Sequence, residues 1–245
     1  MSLAVIALLC LQGFCLYHMA KTGRPYWWIW VIMIPVGAPV YVLTQVLPDL
    51  RNDPGARRAV RSVQRTIDPQ REKKRIAAQL EVADTVDNRL KLAAECLALG
   101  DVLNAEELYL SCLKGPHATD PDILLGVARA QFGRGDAAAA RKSLEKLIEA
   151  NPQFTSHDGH LLYARSLEQL GDEVAAMHEY ETLASSYPGE EGRARYAMLL
   201  KRANRTDDAR TVFQQILARA KVAPKYYQRA QKEWIELAKE QLRAT

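Results

Sequence analysis

Histidine and cysteine side chains are the residues of this chain best suited to bind a metal or attack a substrate, and both are scarce. The sequence holds five histidines and four cysteines among 245 residues. His157 and His160 stand beside Asp158 and could begin a metal site, but no further ligand lies close in the sequence. A histidine near the start of a helix explains the pair more simply. The sequence therefore predicts no metal and no other cofactor.

The cysteines favour packing over catalysis. Cys10 and Cys15 fall in an apolar segment, and neither follows the small residue that lipoprotein processing requires. Cys96 and Cys112 fall at interior positions of a helical pattern and are predicted to be small core residues. The chain also contains no glycine-rich phosphate loop and no nucleophile elbow. We therefore expect a protein that is not an enzyme.

Two apolar segments stand at the N-terminus. Residues 2–20 and 26–47 carry no charged side chain, and only five residues separate them. A helix of 19 residues rises about 28 Å, which is close to the ~30 Å hydrocarbon core of a bilayer. The segments therefore predict a transmembrane helical hairpin over residues 1–48. A cleaved secretory signal is the alternative for the first segment, although no Lys or Arg precedes it.

The second apolar segment has the features of a membrane boundary and of a kink. Residues 26–30 contain three tryptophans and a tyrosine, which matches the aromatic belt at a membrane–water interface. Pro35, Gly37 and Pro39 interrupt the predicted helix. We expect the first helix to pack against this kink, because a membrane requires partners for the freed carbonyl groups. A role of the kink beyond packing stays open.

The second apolar segment contains the pattern W-x-W-x4-P-x-G-x-P-x-Y from Trp28 onward. It resembles the two-helix membrane module at the N-terminus of bacterial cardiolipin synthases of the phospholipase D superfamily. The catalytic half of that superfamily carries a His-x-Lys-x4-Asp signature, but none of the histidines here has lysine two positions later. The resemblance therefore implies an anchor and no phospholipase chemistry.

The distribution of charge predicts the orientation of the hairpin. The five-residue loop contains two cations, whereas residues 51–75 contain nine basic and three acidic side chains. Because positive flanks stay in the cytoplasm, we expect the C-terminal domain in the cytosol and the loop outside. An even number of spans then places the N-terminus in the cytosol as well. The sequence thus predicts a two-pass protein of a bacterial inner membrane.

The basic segment of residues 49–84 is predicted to form linker helices beside the membrane. Apolar residues recur there at helical spacing opposite four arginines, which suits a helix lying on anionic headgroups. A solvated linker that only fixes topology is the alternative. No interleaved aromatic residues are present to stack bases, so nucleic acid is not an expected partner. The predicted membrane-surface residues are Arg57, Arg58, Arg61 and Arg65.

From residue 85 onward the chain repeats a helix–turn–helix pattern with a period of ~34 residues. The turns fall at Gly100, Gly135, Gly171 and Asn204, at intervals of 35, 36 and 33 residues. A small residue stands seven positions before and five positions after each turn, where paired helices must approach closely. These residues are Ala93, Ala105, Ala128, Ala140, Ala164, Ala176, Ala197 and Ala209.

This pattern resembles an array of four tetratricopeptide repeats (TPR) over residues 87–221. The resemblance implies an all-α solenoid in a domain of residues 85–245, with a capping helix from about residue 224. The tryptophan that the family usually has near the start of each first helix is missing. Its positions hold Arg89, Leu124, His160 and Arg193. Because TPR arrays bind protein segments, the resemblance implies a protein or peptide partner.

In this family, residues two, five, nine and twelve to thirteen of each first helix line a concave groove. An apolar floor with four cations would suit an extended or helical peptide with acidic groups. Solvated surface charges are the alternative reading of the arginines. The frame places these residues in the groove: Leu90, Leu97, Leu125, Arg129, Phe132, Leu161, Arg165, Glu168, Met198, Lys201 and Arg202.

Three functions fit this organisation. The favoured one is a membrane-anchored TPR scaffold or adaptor that recruits a protein to the cytoplasmic face of the membrane. The second is a non-catalytic regulatory subunit of a phospholipid-synthesis or envelope-assembly complex, in which the hairpin pairs with a membrane-protein partner. The third is an assembly chaperone with its repeats on the outer side, an arrangement that the five-residue loop disfavours. Membrane lipids are expected to contact the hairpin and the basic segment in each case.

Overall fold

The structure is a computed structural model that describes residues 3–34, 36–55 and 68–244. All regular secondary structure in these ranges is helical. The chain divides into two compact units, Met1–Arg71 and Glu72–Thr245, which we call the N-terminal unit and the repeat unit. Pro35 and the predicted membrane-surface residues lie outside the described residues; the latter are Arg57, Arg58, Arg61 and Arg65.

The N-terminal unit begins with one long apolar helix, α1 (Leu3–Thr22). Its Val5–Thr22 stretch is long and apolar enough to cross a membrane, and no other helix in the described ranges meets the same length and composition. The second apolar segment is divided into shorter pieces. They are α2 (Trp28–Met33), α3 (Gly37–Tyr41), a π-helical stretch (Val42–Val46) and α4 (Leu47–Asn52).

The second apolar segment folds back on itself between α2 and α3. Ile34 ends α2 with an extended backbone at ψ 137°. Gly37 approaches α2 so closely that a Cβ there would lie 1.5 Å from the carbonyl oxygen of Val31. Trp28 at the start of α2 meets Tyr41 at the end of α3, with ring centroids 5.1 Å apart. The predicted interruption of the second apolar segment is therefore present, and the described residues show a reversal of the chain where the sequence had predicted a kink within one helix.

Side chains of α1 supply the hydrogen bonds that this reversal requires. The Gln12 amide donates to the carbonyl oxygens of Ile32 at 3.0 Å and Met33 at 3.4 Å. The Cys15 thiol donates to the carbonyl oxygen of Ala38 at 3.7 Å. The two Gln12 bonds satisfy carbonyl groups at the end of α2, whereas the Ala38 carbonyl oxygen also accepts from the backbone N–H of Val42. The prediction that the first helix packs against the kink is confirmed.

A polar cluster at the C-terminal end of α1 joins this end of the helix to the end of the second apolar segment. The Arg24 guanidinium donates to both carboxylate oxygens of Asp49 at 2.8 Å and also bonds the side chain of Gln45. His18 lies 3.3 Å from the Tyr41 hydroxyl and 3.7 Å from the Asp49 carboxylate. The beginning and the end of the second apolar segment therefore lie at the same end of α1.

The repeat unit contains one leading helix, four helix pairs and two closing helices. From α7 to α12, each helix packs against the helix before it and the helix after it, and α15 packs against α13. The helices are α5 (Arg71–Val82), α6 (Val86–Ala98), α7 (Val102–Cys112), α8 (Pro121–Gly133), α9 (Ala137–Ala150), α10 (His157–Gln169), α11 (Glu173–Ser186), α12 (Glu191–Arg202), α13 (Thr206–Val222), α14 (Lys225–Ala230) and α15 (Lys232–Arg243).

Local sequence explains where these helices start and turn. Asp136 and Asp172 each accept a hydrogen bond from a backbone N–H three residues later, at 2.9 and 3.2 Å, and so cap α9 and α11. The three turn glycines adopt left-handed backbone conformations with φ between 78° and 90°. Asn204 takes the same role at φ 59°, a conformation that asparagine tolerates better than most residues. The predicted turns therefore coincide with the chain reversals.

The predicted packing positions lie in the core. All eight small residues are buried, with at most 1% of their surface exposed. Cys96 and Cys112 are buried as well, which confirms their assignment as core residues. The structure also buries a large side chain nine residues after each turn, namely Tyr109, Leu144, Tyr180 and Phe213. The repeat frame derived from the sequence is therefore confirmed.

The leading helix α5 packs on the first repeat. Ile76 is buried in the same hydrophobic cluster as Leu92 and Ala93 of α6. Lys73 donates a hydrogen bond to Asp101 in the first turn between paired helices. A solenoid needs its end faces covered, and α5 covers part of the first one.

Leucine in place of Ala176 should lower the stability of the repeat unit by about 1–3 kcal/mol, because it would overpack a helix crossing that has no free surface. Thermal unfolding of residues 69–245, followed by circular dichroism, measures the loss. Val174→Leu, at an exposed position of the same helix, is the matched control. Equal melting temperatures for the two variants would contradict the repeat frame.

Candidate binding face on the first helices

The first helices of the repeats, α6, α8, α10 and α12, carry all eleven residues predicted to line a groove. We call the surface that these helices share the first-helix face. Helix α6 contacts α8, α8 contacts α10, and α12 contacts α15. Side chains on this face can therefore bridge from one repeat to the next.

The leucines predicted for the groove contribute mainly to the core. Leu125 and Leu161 are each only 5% exposed and belong to hydrophobic clusters between helices. Leu90, Leu97 and Met198 are partly buried against such clusters. These side chains pack inward because neighbouring helices approach closely. The apolar floor therefore offers less surface to a ligand than the sequence frame implied.

Arg165 occupies the centre of the first-helix face. Its guanidinium carbon lies 4.7 Å from the centroid of the Phe132 ring, in cation–π geometry. Its Nε lies 3.6 Å from a carboxylate oxygen of Glu191. Within the described ranges, that nitrogen is the one buried side-chain nitrogen or oxygen atom without a hydrogen bond. The guanidinium is thus positioned by an aromatic ring and a long ion pair.

Glu168 is held by several donors. It accepts hydrogen bonds from the Tyr180 hydroxyl at 2.8 Å and from Arg195 at 3.1 Å. Arg202 lies 3.7 Å from the second carboxylate oxygen and 3.3 Å from Glu173. The carboxylate of Glu168 therefore belongs to a fixed network and is not free to receive a ligand.

The remaining cations of the face also have partners within the chain. Arg129 lies 3.6 Å from Asp158 of the next repeat. Lys201 donates to the side chain of Gln241 in α15 at 2.8 Å. Every predicted cation thus has an acidic or amide partner. The four cations predicted for the groove therefore lie beside side chains of the same chain, and the first-helix face carries charges of both signs.

Sequence reasoning missed three residues of this network. Glu191 and Arg195 are four residues apart on α12, with a hydrogen bond of 2.8 Å between them, and this spacing is a known signal for charge pairing on a helix. Arg195 also lies over the ring of Trp234 at 5.3 Å. The contribution of Trp234 depends on how α15 packs, which the sequence does not show.

A second polar cluster ties the fourth repeat to the closing helices. The fully buried carboxylate of Glu190 accepts hydrogen bonds from the Tyr227 hydroxyl at 2.6 Å, Arg219 at 3.1 Å and Arg193 at 3.4 Å. The backbone N–H of Glu190 donates to the side-chain oxygen of Gln231 at 2.8 Å. Because Glu190 and Arg193 are both buried, this cluster serves the packing of the closing helices and does not face a ligand.

His157 and His160 lie elsewhere, in a cleft of about 410 Å³ between α9, α10 and α11. The Nε2 atom of His160 is 2.6 Å from the carboxylate of Glu179, and His157 also lines the cleft. Across the part of the chain that the structure describes, no three His, Cys, Asp or Glu side chains gather as a metal site would require. His160 therefore acts as a hydrogen-bond partner of Glu179 at a repeat position where the family has tryptophan.

The stability of the repeat unit should fall above about pH 10, the pKa of tyrosine in an unfolded chain. Burial, and then the charge of Glu168, raises the pKa of Tyr180 far above that value. The folded state therefore favours the neutral phenol, and this stabilisation is complete below about pH 10 and is lost as the pH rises beyond it. Tyr180→Phe should reduce the alkaline loss of stability in urea unfolding. Tyr226→Phe, at an exposed site, should leave that loss unchanged, and equal pH profiles would contradict the prediction.

Comparison with known proteins identifies the class of the repeat unit. Residues 122–153, which include most of α8 and all of α9, match the tetratricopeptide repeat model. The crystal structure of MamA has a TM-score of 0.51 and 16% sequence identity, over 78% of this chain and 96% of MamA. TTC0263, a thermophilic TPR protein of Thermus thermophilus, has a TM-score of 0.52 and 18% identity, over 69% and 88%. No curated protein sequence matches the chain.

The repeat unit therefore has a TPR-like α-solenoid fold, and residues 122–153 within it match the tetratricopeptide repeat model. Proteins of this class generally act as scaffolds for protein–protein interactions. The family match does not extend to the N-terminal unit, and none of these comparisons supports its resemblance to the phospholipase D module.

Proposed function

We propose that the protein is a membrane-anchored TPR scaffold that binds an acidic segment of a partner protein on its first-helix face. Helix α1 is the membrane anchor, and the repeat unit carries the binding surface. The excess of basic side chains in residues 51–75 supports a place at the cytoplasmic face of a bacterial inner membrane, with contacts to anionic headgroups. The proposed function is non-catalytic and needs no cofactor.

The observation that carries this proposal is the row of arginine contacts from repeat to repeat. Arg129 bridges α8 to the start of α10, and Arg165 bridges α10 to the start of α12. The two side chains stay 44% and 34% exposed. A partner that lies along the face could therefore offer one carboxylate to each guanidinium without disturbing the core.

The internal ion pairs do not prevent such binding. The pairs Arg129–Asp158 and Arg165–Glu191 are both 3.6 Å long and partly exposed. Pairs of this kind contribute at most about 1 kcal/mol each. A ligand carboxylate that makes shorter contacts would replace them at little cost.

The double variant Arg129→Ala and Arg165→Ala should weaken partner capture at least tenfold, since charge-assisted hydrogen bonds contribute about 1.5–3 kcal/mol each. The measurement is co-purification of the tagged full-length chain in mild detergent, with the captured proteins quantified by mass spectrometry. Folding and membrane insertion should be unchanged.

Arg141→Ala with Lys142→Ala is the matched control, because both residues lie on the second helix α9 and Arg141 pairs within that helix with Glu145. If the double variant Arg129→Ala and Arg165→Ala retains its partner at full yield in raised salt, these two arginines are solvated charges. The binding surface would then lie elsewhere on the protein.

A further inference from the structure

Contacts between α1 and the second apolar segment advance in the same direction along both. In order along α1, they join Gln12 to Ile32 and Met33, Cys15 to Ala38, and His18 to Tyr41; just beyond the end of α1, Arg24 bonds Asp49. The part of the segment from α3 to α4 therefore runs parallel to α1. A two-helix transmembrane hairpin would require the opposite direction throughout.

The chain reversal lies about half way along α1. Gln12, which bonds the carbonyl groups at the reversal, stands ten residues before Thr22, the end of α1. Ten residues of helix rise about 15 Å, half of the ~30 Å hydrocarbon core. The six residues of α2 rise only about 9 Å and cannot cross that core.

The exposed side chains of the second apolar segment are apolar at one end and aromatic at the other, as in one leaflet of a bilayer. Met33, Ile34 and Val36 are apolar and exposed at the reversal. Tyr26 and Trp27 are exposed at the opposite end, just after Arg24. An apolar tip and an aromatic base suit an element whose base lies at the membrane–water interface and whose tip lies in the hydrocarbon.

We propose that only α1 crosses the bilayer and that residues 26–52 form a re-entrant hairpin, which enters and leaves on the same side. This inference rests on the membrane anchoring proposed above. It places residues 21–25 and the repeat unit on one side of the membrane and the N-terminus on the other. The two cations of the loop and the basic segment that begins at residue 51 then both lie on the cytoplasmic side, where basic flanking residues are expected. In the two-pass arrangement, these two basic regions would lie on opposite sides of the membrane.

Cysteine labelling in intact bacterial cells tests the inference. Ser2→Cys, Thr22→Cys and Ala244→Cys are introduced separately into a full-length chain in which the exposed Cys10 is replaced by serine, while the three buried cysteines remain. A membrane-impermeant maleimide should label position 2 at least tenfold more than positions 22 and 244. All three positions should react after the cells are lysed.

The possible results separate this inference from the proposed function. Labelling at position 22, without labelling at 2 or 244, would overturn the re-entrant hairpin in favour of two spans. Labelling at both 22 and 244, without 2, would support the hairpin and overturn the cytoplasmic placement of the repeats. Recovery of the protein in the soluble fraction after carbonate extraction would overturn both.

A crosslink provides a second, independent measurement. Arg24→Cys with Asp49→Cys should be joined by a short bis-maleimide in membranes, because these side chains are in contact. In a two-pass hairpin, the same positions would be separated by the ~30 Å hydrocarbon core. Lys73→Cys with Asp101→Cys, a contact within the repeat unit, is the positive control. A crosslink in the control alone would overturn the inference.

Discussion

Replacement of Glu190 by alanine should lower the free energy of unfolding of the repeat unit by about 3–5 kcal/mol. The carboxylate is fully buried, and the change would leave Arg193 as an unpaired cation with almost no solvent contact. The Tyr227 hydroxyl would lose its 2.6 Å hydrogen bond at the same time. Urea unfolding of residues 69–245, followed by circular dichroism, measures the loss.

Two further variants isolate the role of the buried charge. Glu190→Gln keeps an acceptor for Tyr227 and should be less damaging than alanine, because it removes the charge but not the hydrogen bond. Glu236→Ala removes an exposed partner of Lys239 and should leave the free energy of unfolding almost unchanged, because water screens an exposed ion pair. A loss for Glu190→Ala as small as that for Glu236→Ala would contradict a structural role for the cluster.

Ending the chain after Ala223 should destabilise the fourth repeat by about 3.5–5 kcal/mol and cause aggregation. The deletion removes Ile235, which is buried in the same cluster as Phe213, and burial of such a side chain contributes about 1.5–3 kcal/mol. It also removes Tyr227 and Gln231, whose hydrogen bonds to Glu190 contribute about 1 kcal/mol each. Size-exclusion chromatography and thermal unfolding of residues 69–223 report the effect.

Ending the chain after Leu242 is the control for this deletion, because it removes only the last residues of the chain and leaves the buried part of α15 in place. That variant should be monomeric and as stable as the intact repeat unit. If the longer deletion also leaves a monomer with an unchanged melting temperature, α14 and α15 are not a cap.

The sequence by itself determined the frame of the repeats. Ala140 and Ala176 are small because two helices cross there, and Gly135 and Gly171 adopt left-handed conformations that other residues avoid. These requirements act within one helix pair and recur with a constant period. They can therefore be read from residue type and spacing alone.

The partners of the charges depended on the tertiary structure. The sequence frame placed Arg165 and Glu168 on the first helices, but it did not show that Glu191 and Arg195 of the next repeat would pair with them. These contacts join residues 26 and 27 positions apart (191 − 165 and 195 − 168), and they exist only because neighbouring helices pack in one register. The predicted groove residues Arg165 and Glu168 are therefore part of one network of ion pairs across two repeats.

The path of the second apolar segment was also decided by the tertiary structure. Its proline and glycine residues show that a helix must be interrupted, but a bend and a reversal use the same residue types. The reversal follows from contacts made across 20 and 25 residues, in which Gln12 bonds the freed carbonyl of Ile32 and Arg24 bonds Asp49. Apolar composition by itself predicts burial in lipid. The direction of the chain depends on where the few polar side chains find partners.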